Sequence, residues 1–171
     1  MPASTSGGAK KSVTTMKVFM KIEGLPGSCL DKNHKDWCDV RGFDHEMSYP
    51  FDMRENKGRG EPVHSAFNVL KEMDKTSPKL YEALAKKKMI KKVEFEFWRD
   101  KPGEGGSEKY FTIVLTDIRV VTAKPYIPTG PEAEDLPPHV EEIGFAYRKI
   151  DWTWLSGGQV PTTFDFSNPD A

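Results

Sequence analysis

The segment Tyr110 to Val121, YFTIVLTDIRVV, has apolar side chains on both faces of an extended chain. One face contains Phe111, Ile113 and Leu115, and the other contains Val114, Ile118 and Val120. Apolar residues on both faces are typical of a strand that is covered on both sides, and such a strand needs two packing partners. The segment therefore predicts a strand in the interior of a β structure.

Alternating apolar and polar residues predict further strands on both sides of this segment. A period of two is typical of a strand with one buried face. These strands are expected at Met16 to Glu23, Lys35 to Met47, Pro62 to Asp74, Val93 to Trp98 and Val140 to Leu155. We expect Val140 to Leu155 to be the last strand of the chain.

One segment has the features of an amphipathic helix. Ser77 is expected to be its N-cap and Pro78 its first helical residue, since both types favour these positions. Lys86 to Lys88 would lie at its C-terminal end, where cations are favourable. The apolar stripe that faces the sheet comprises Leu80, Ala83 and Leu84. The pattern predicts a mainly β fold, an antiparallel β-barrel or sandwich of two sheets with one short α-helix packed on one side.

A chain of 171 residues is expected to form one domain with a single core. Met1 to Thr15 is rich in small and polar residues and predicts a flexible N-terminal arm. The β-barrel domain is expected at residues 16–155, and Ser156 to Ala171 is expected to be a polar C-terminal tail.

The charge balance disfavours nucleic acid and anionic membranes as partners. The chain has 25 Lys and Arg against 26 Asp and Glu, so it carries no strong global field. Lys86 to Lys92 is a dense basic run, but no aromatic residues that could stack bases alternate with it, and we interpret it as a solvated helix end. No segment approaches the roughly 20 apolar residues of a membrane span, and Met1 to Thr15 has no apolar run of a secretory signal. We therefore expect synthesis in the cytoplasm and no membrane insertion.

No motif for catalysis, a metal or a cofactor emerges from the sequence. Cys29, His34 and Cys38 have the spacing C-x4-H-x3-C, which offers three zinc ligands but lacks the fourth. Cys38 with His34, His45 or His64 would provide a thiol and a base, although no local nucleophile signature accompanies them. We expect both cysteines to be free thiols, and we predict no catalytic, metal-binding or cofactor-binding residues.

Five segments resemble, in the same order, the haemolysin-coregulated protein family, the tube subunits of bacterial type VI secretion. They are MKVFMKIEGLPG, DKNHKDWCDV, MDKTSPKLYEALAKKK, YFTIVLTDIRVV and IGFAYRKIDWTW. The resemblance implies that residues 16–155 form a tube-building barrel without enzymatic activity. It also implies that copies form hexameric rings, that rings stack into a tube, and that a contractile sheath ejects the tube. A spike protein, effectors in the lumen and export without a cleaved signal peptide are further implications.

The segment Ser48 to Gly60, SYPFDMRENKGRG, is the candidate ring-stacking loop. Its thirteen residues exceed the usual connection of about 4 to 6 residues, and loops of such length are usually functional or disordered. Its basic residues are expected to meet acidic residues of the next ring. The candidate contact residues are Tyr49, Phe51, Arg54, Lys57 and Arg59.

Three other functions fit parts of the sequence. A tail tube subunit of a contractile phage would share the architecture. A monomeric β domain could bind carbohydrate or peptide through its four tryptophans, since aromatic side chains supply such platforms. These are Trp37, Trp98, Trp152 and Trp154. An enzyme would depend on Cys38 with a histidine.

Overall fold

Six strands close into an antiparallel barrel in the computed structural model, which describes residues 16–169. In chain order the elements are β1 (Lys17–Ile22), β2 (Cys38–Asp44), β3 (Met47–Ser48), β4 (Phe51–Asp52), β5 (Lys57–Gly58), β6 (Val63–His64), β7 (Phe67–Glu72), α1 (Ser77–Ala85), β8 (Met89–Asp100), β9 (Ser107–Tyr126), α2 (Glu132–Asp135), β10 (Val140–Trp154) and β11 (Val160–Asp165). The main sheet has the order β11-β10-β7-β2-β1-β8-β9, and β9 also pairs with β10. This extra pairing closes the barrel and confirms the predicted fold class.

The predicted flexible arm, Met1 to Thr15, lies outside the described residues, as do the last two residues of the predicted tail.

Strand β9 pairs along its length with β8 on one side and β10 on the other. The backbone of Asp117 has φ of 52°, in the left-handed region, and the alternation of buried residues changes at this point. Leu115 before Asp117 and Ile118 after it are therefore both fully buried in the same core. In the neighbouring strands β8 and β10 the alternation of buried and exposed residues shifts in the same way, at the level of Asp117.

The interpretation of Tyr110 to Val121 as a strand with two covered faces is therefore wrong. Ile113, Leu115, Ile118 and Val120 all belong to one hydrophobic core, although the sequence places them on alternate faces. Arg148 Nε donates a hydrogen bond of 2.7 Å to Asp117 Oδ2, so the irregular residue is tied to the neighbouring strand.

Helix α1 lies against β9 and begins at Ser77. The N-cap is Thr76, one residue before the predicted Ser77, and its side chain makes no capping hydrogen bond. Ser77 Oγ is occupied elsewhere, because it accepts the Asp74 N–H at 2.9 Å and donates to Glu141 Oε1 at 2.7 Å. The helix ends at Ala85, so the predicted C-terminal lysines follow it.

A buried ion pair joins β7 to β10 beside the start of this helix. Lys71 and Glu141 are cross-strand partners, both are completely buried, and Lys71 Nζ lies 2.7 Å from Glu141 Oε1. Lys71 Nζ also contacts Asp74 Oδ1 at 3.0 Å and donates to the Glu72 carbonyl at 2.8 Å. The Tyr81 hydroxyl donates to Glu141 Oε2; burial and this hydrogen bond raise the pKa of Tyr81 to about 12. Among residues 16–169 no buried side-chain polar atom lacks a hydrogen-bond partner.

Strand β11 and helix α2 are absent from the sequence prediction, as are the short strands β4 and β5 within the segment predicted as a loop. Strand β11 pairs with the C-terminal half of β10, from Lys149 and Asp165 to Trp154 and Val160, so the strand ending at Leu155 is not the last. Much of the predicted tail thus belongs to the sheet. The one-turn helix α2 interrupts the connection between β9 and β10.

Replacing Lys71 with methionine should destabilise the protein by about 3 to 5 kcal/mol, because it leaves the Glu141 carboxylate buried without its cation. The double variant Lys71→Met with Glu141→Leu should recover much of this loss, since it removes both charges. Urea unfolding measures both effects. Lys79→Met is the matched control; it removes an exposed 3.1 Å pair with Glu82 and should destabilise the protein far less. Equal losses for the two lysine variants would contradict this assignment.

Candidate assembly surface

The segment predicted as a long loop forms a projecting two-stranded hairpin, residues 47–64, which we call the hairpin. It lies between β2 and β7, and its pairs run from Met47 and His64 to Asp52 and Lys57. Between these pairs the Arg59 N–H donates to the Pro50 carbonyl at 2.8 Å. The Pro, Gly and charged residues that made the segment look irregular lie mostly near its tip.

Asp52 organises the tip of the hairpin. Its Oδ1 accepts the backbone N–H groups of Arg54 and Glu55 at 2.9 and 3.1 Å, and its Oδ2 accepts two hydrogen bonds from the Arg59 guanidinium at 3.1 and 2.6 Å. The Glu55 N–H and then the Arg59 guanidinium hold the pKa of Asp52 below its usual range. Asn56 has φ of 49°, a conformation that Asn tolerates in tight turns. The tip is therefore a built turn.

The hairpin brings all five predicted contact residues together. Tyr49 and Phe51 are exposed neighbours with ring centroids 6.0 Å apart. The hydroxyl end of the Tyr49 side chain lies against Gly58, where an added Cβ would stand 1.7 Å from the Tyr49 hydroxyl oxygen, so a larger residue at this position would displace the exposed Tyr49 ring.

The three basic residues of the prediction differ in their surroundings. Arg59 forms ion pairs inside the hairpin, with Asp52 at 2.6 Å and with Glu55 at 3.5 Å. Within the described part of the chain, Arg54 and Lys57 form no ion pair. Arg54 and Lys57 are therefore the cations of the hairpin whose charge is not neutralised within it.

Three exposed apolar residues of the hairpin were missing from the prediction. Met53 is 84% exposed, and Met47 and Val63 are each about half exposed, at 51% and 54%. Met47, Tyr49, Phe51 and Met53 recur at every second residue, so a period-two signal was present in the sequence. A row of exposed apolar side chains rimmed by charges is typical of a protein interaction surface.

The zinc spacing does not converge on a metal site. His34 is buried, and its Nδ1 and Nε2 lie 2.9 Å from Asp31 Oδ1 and 2.8 Å from Glu96 Oε2. Both ring nitrogens are therefore engaged with carboxylate oxygens, and neither is available to a metal. Among residues 16–169 no group of three or more His, Cys, Asp or Glu side chains is arranged to hold a metal ion.

The Cys38 thiol is not prepared for nucleophilic catalysis. It is buried, and its Sγ lies 3.9 Å from Thr76 Oγ1. Burial, followed by the nearby Asp74 carboxylate, raises its pKa to about 12, whereas a reactive thiol needs a lowered pKa. Both cysteines are free, as predicted.

Among residues 16–169 no two of the four tryptophan rings contact each other. Trp37 and Trp98 both contact the His34 ring edge-on, with centroids 5.1 and 5.6 Å away. Trp154 contacts Tyr110 and the Arg99 guanidinium near the start of β9, the end that also pairs with Trp98. The absence of contact between the rings gives no support to a stacked sugar-binding platform.

No helix within residues 16–169 has the length and apolar character needed to cross a membrane.

The fold and this surface define a β-barrel protein that carries a projecting, partly apolar hairpin. The family described as "Type VI secretion system effector, Hcp" matches residues 19–154. The chain therefore belongs to the Hcp family of type VI secretion, as the resemblance implied.

Known relatives agree with this assignment. The "Major exported protein" of Pseudomonas aeruginosa is 33% identical over 147 residues, which cover 85% of this chain and 84% of that protein. A mutant Hcp1 from Escherichia coli EAEC 042 has a TM-score of 0.73 at 25% identity, covering 88% of this chain and 97% of its own. The secreted protein Hcp3 from Pseudomonas aeruginosa has a TM-score of 0.69 at 27% identity, covering 89% and 99%.

Acid should destabilise the fold through the carboxylates around His34. The His34 hydrogen bond holds the pKa of Asp31 below its usual range. Burial alone would raise the pKa of Glu96, but hydrogen bonds from His34, Trp98 and Lys109 lower it overall. Groups with lowered folded pKa values contribute stability that is present above the unfolded values of about 3.9 and 4.3 and is lost as pH falls through the folded values.

Thermal unfolding across this acidic range measures the effect. His34→Gln removes the ring that hydrogen-bonds both carboxylates, so its melting temperature should fall less steeply with acid than that of the wild type. His139→Gln is the control, because the His139 side chain is exposed and its ion pair with the exposed Glu72 is long, at 3.9 Å. An unchanged acid dependence in His34→Gln would contradict the role given to this cluster.

Proposed function

We propose that the protein is a subunit of the inner tube of a type VI secretion system. Six copies form a ring, rings stack into a tube, and a contractile sheath ejects the tube with a spike protein at its tip. Secreted effectors bind in the lumen. The chain is made in the cytoplasm and exported by this machine without a cleaved signal peptide, and it has no enzymatic activity of its own.

The exposed apolar row on the hairpin is the observation that carries this proposal. A closed barrel offers few open edges for strand pairing between copies, so a feature that projects from it is well placed to supply contacts. Within residues 16–169 the hairpin is such a feature, and it combines apolar side chains with the unpaired cations Arg54 and Lys57. We assign the hairpin to the contact between stacked rings, where an acidic surface of the next ring receives the two cations.

Membership of the Hcp family supports a structural role over the other functions considered. The relative in Pseudomonas aeruginosa is named as an exported protein, which agrees with export of this chain. Within residues 16–169 the tryptophan rings do not contact each other and Cys38 is buried, which gives no support to the carbohydrate-binding and thiol-enzyme alternatives.

Purified protein should form closed rings of six copies, because head-to-tail contacts between identical subunits either close into a ring or continue as filaments. Multi-angle light scattering and negative-stain electron microscopy measure the mass and the symmetry. Finding only monomer over a wide concentration range would overturn the proposal.

Shortening the hairpin should leave rings intact and abolish their stacking. Residues 51–58 can be replaced by Asn-Gly, since the Arg59 N–H already bonds the Pro50 carbonyl at 2.8 Å and Asn-Gly favours a tight hairpin turn. The same operation on residues 102–105 is the matched control, because the Lys101 N–H bonds the Gly106 carbonyl at 2.9 Å. Electron micrographs compare tube length. Tubes of normal length from the hairpin variant would show that this surface does not stack rings.

A further inference from the structure

Two histidines converge on one tyrosine hydroxyl where the hairpin joins the barrel. His45 lies between β2 and the hairpin, His64 belongs to β6, and Tyr147 is on β10. Tyr147 Oη lies 2.8 Å from His45 Nε2 and 2.6 Å from His64 Nδ1. All three side chains are half-buried. These two hydrogen bonds link both strands at the base of the hairpin to a strand of the barrel.

Aromatic side chains enclose this hydrogen-bonded group. The His64 ring contacts Phe164 on β11 and Phe166 just after it, with centroids 4.6 and 5.0 Å away. The His45 ring contacts Phe67 at the start of β7, 5.3 Å away. The group is therefore shielded from water on several sides.

Counting hydrogens shows how many protons this arrangement can hold. A tyrosine hydroxyl has one hydrogen and accepts through its oxygen. With neutral histidines it donates to one ring and accepts from the other, and with one imidazolium it still does both. With two imidazolium rings both nitrogens donate, the hydroxyl hydrogen loses its acceptor, and two cations stand with centroids 5.8 Å apart. The hydroxyl oxygen can accept from both rings, but the second proton leaves the hydroxyl hydrogen without its acceptor and adds the repulsion of a second cation, so it weakens the bridge.

From this geometry we infer that His45, Tyr147 and His64 form an acid-sensitive latch, which holds the hairpin against the barrel at neutral pH and releases it in mild acid. Its consequence for tube assembly rests on the proposed stacking role of the hairpin. Release would detach the base of the contact surface from the rigid barrel, so stacked rings would separate as pH falls.

The surrounding charges agree with opening below the ordinary histidine range. Burial lowers the pKa of both His45 and His64, and the charge on His64 lowers that of His45 further. Asp44, at the end of β2, acts in the opposite direction on His45. On the neighbouring strands, Arg148 of β10 and Asp165 of β11 form an ion pair with each other, with Nη1 and Oδ2 2.6 Å apart. The second proton is therefore expected to bind below about pH 6.5.

Hydrogen exchange of the full chain at about pH 7.5 and about pH 5, corrected for intrinsic exchange rates, tests the latch. Protection of residues 45–66 in the wild type should fall roughly tenfold between the two conditions, the scale of one or two lost hydrogen bonds. Tyr147→Phe should remove the protection at both pH values. Tyr110→Phe, on the neighbouring strand β9, is the control and should behave as the wild type.

A non-titrating latch separates protonation from general acid effects. Gln places its amide near the position of Nε2 and Asn near that of Nδ1, so the double variant His45→Gln with His64→Asn retains partners for Tyr147 without binding protons. Its hairpin should keep its protection at both pH values within about twofold. Unchanged wild-type protection, or an equal loss in the double variant, would overturn the inference.

Two further measurements keep the test independent of the variants and of assembly. NMR titration of the wild-type histidine rings should show one latch histidine titrating together with the loss of hairpin protection; ordinary, uncoupled titrations of both would overturn the latch. Tube length at the two pH values is measured separately. If rings of the variant with the shortened hairpin still stack, the proposed stacking function fails. The hydrogen-exchange experiment still shows whether the latch opens in acid.

Discussion

The buried ion pair between Lys71 and Glu141 is the constraint on which the closed barrel depends. The two residues are opposite each other on β7 and β10, and Glu141 also receives hydrogen bonds from Ser77 and Tyr81 of α1. Burying a charge is costly unless it is fully compensated, and a shift of one residue in the β7–β10 register would leave both charges without their partner. One polar cluster therefore specifies the register of β7 against β10 and the position of the helix.

The rigid barrel explains how a narrow hairpin can act as a contact surface. Strand β7 follows the hairpin after two residues, and its far end is held by Lys71, so the hairpin starts from a fixed base. Surfaces that extend from such scaffolds commonly carry function, because the scaffold supplies stability while the projection supplies contacts. The latch residue Tyr147 lies on β10, the same strand as Glu141. The fold and the proposed control of assembly thus share one strand.

Several features could be predicted from local patterns of the chain. Most of the strands, the single main helix and the unusual segment after β2 follow from periodicity, end residues and connection length, and the free cysteines follow from their small number. The alternation of apolar residues around Asp117 was misleading, because one residue in the left-handed conformation changes which side chains face the core. Strand β11 was missed because its residues are mostly exposed and include Pro161, so its local signal is weak. Its pairing with β10 supplies the order.

By itself the sequence determined the class of fold, the family and the position of the candidate surface, since these depend on residues close together along the chain. The tertiary structure alone decided the closure of the barrel, the compensation of Lys71 and the meeting of His45 and His64 at Tyr147. Lys71 and Glu141 are 70 positions apart in the chain, and His45 and Tyr147 are 102 positions apart. No local periodicity encodes them, because register and burial are set only when distant strands pack together.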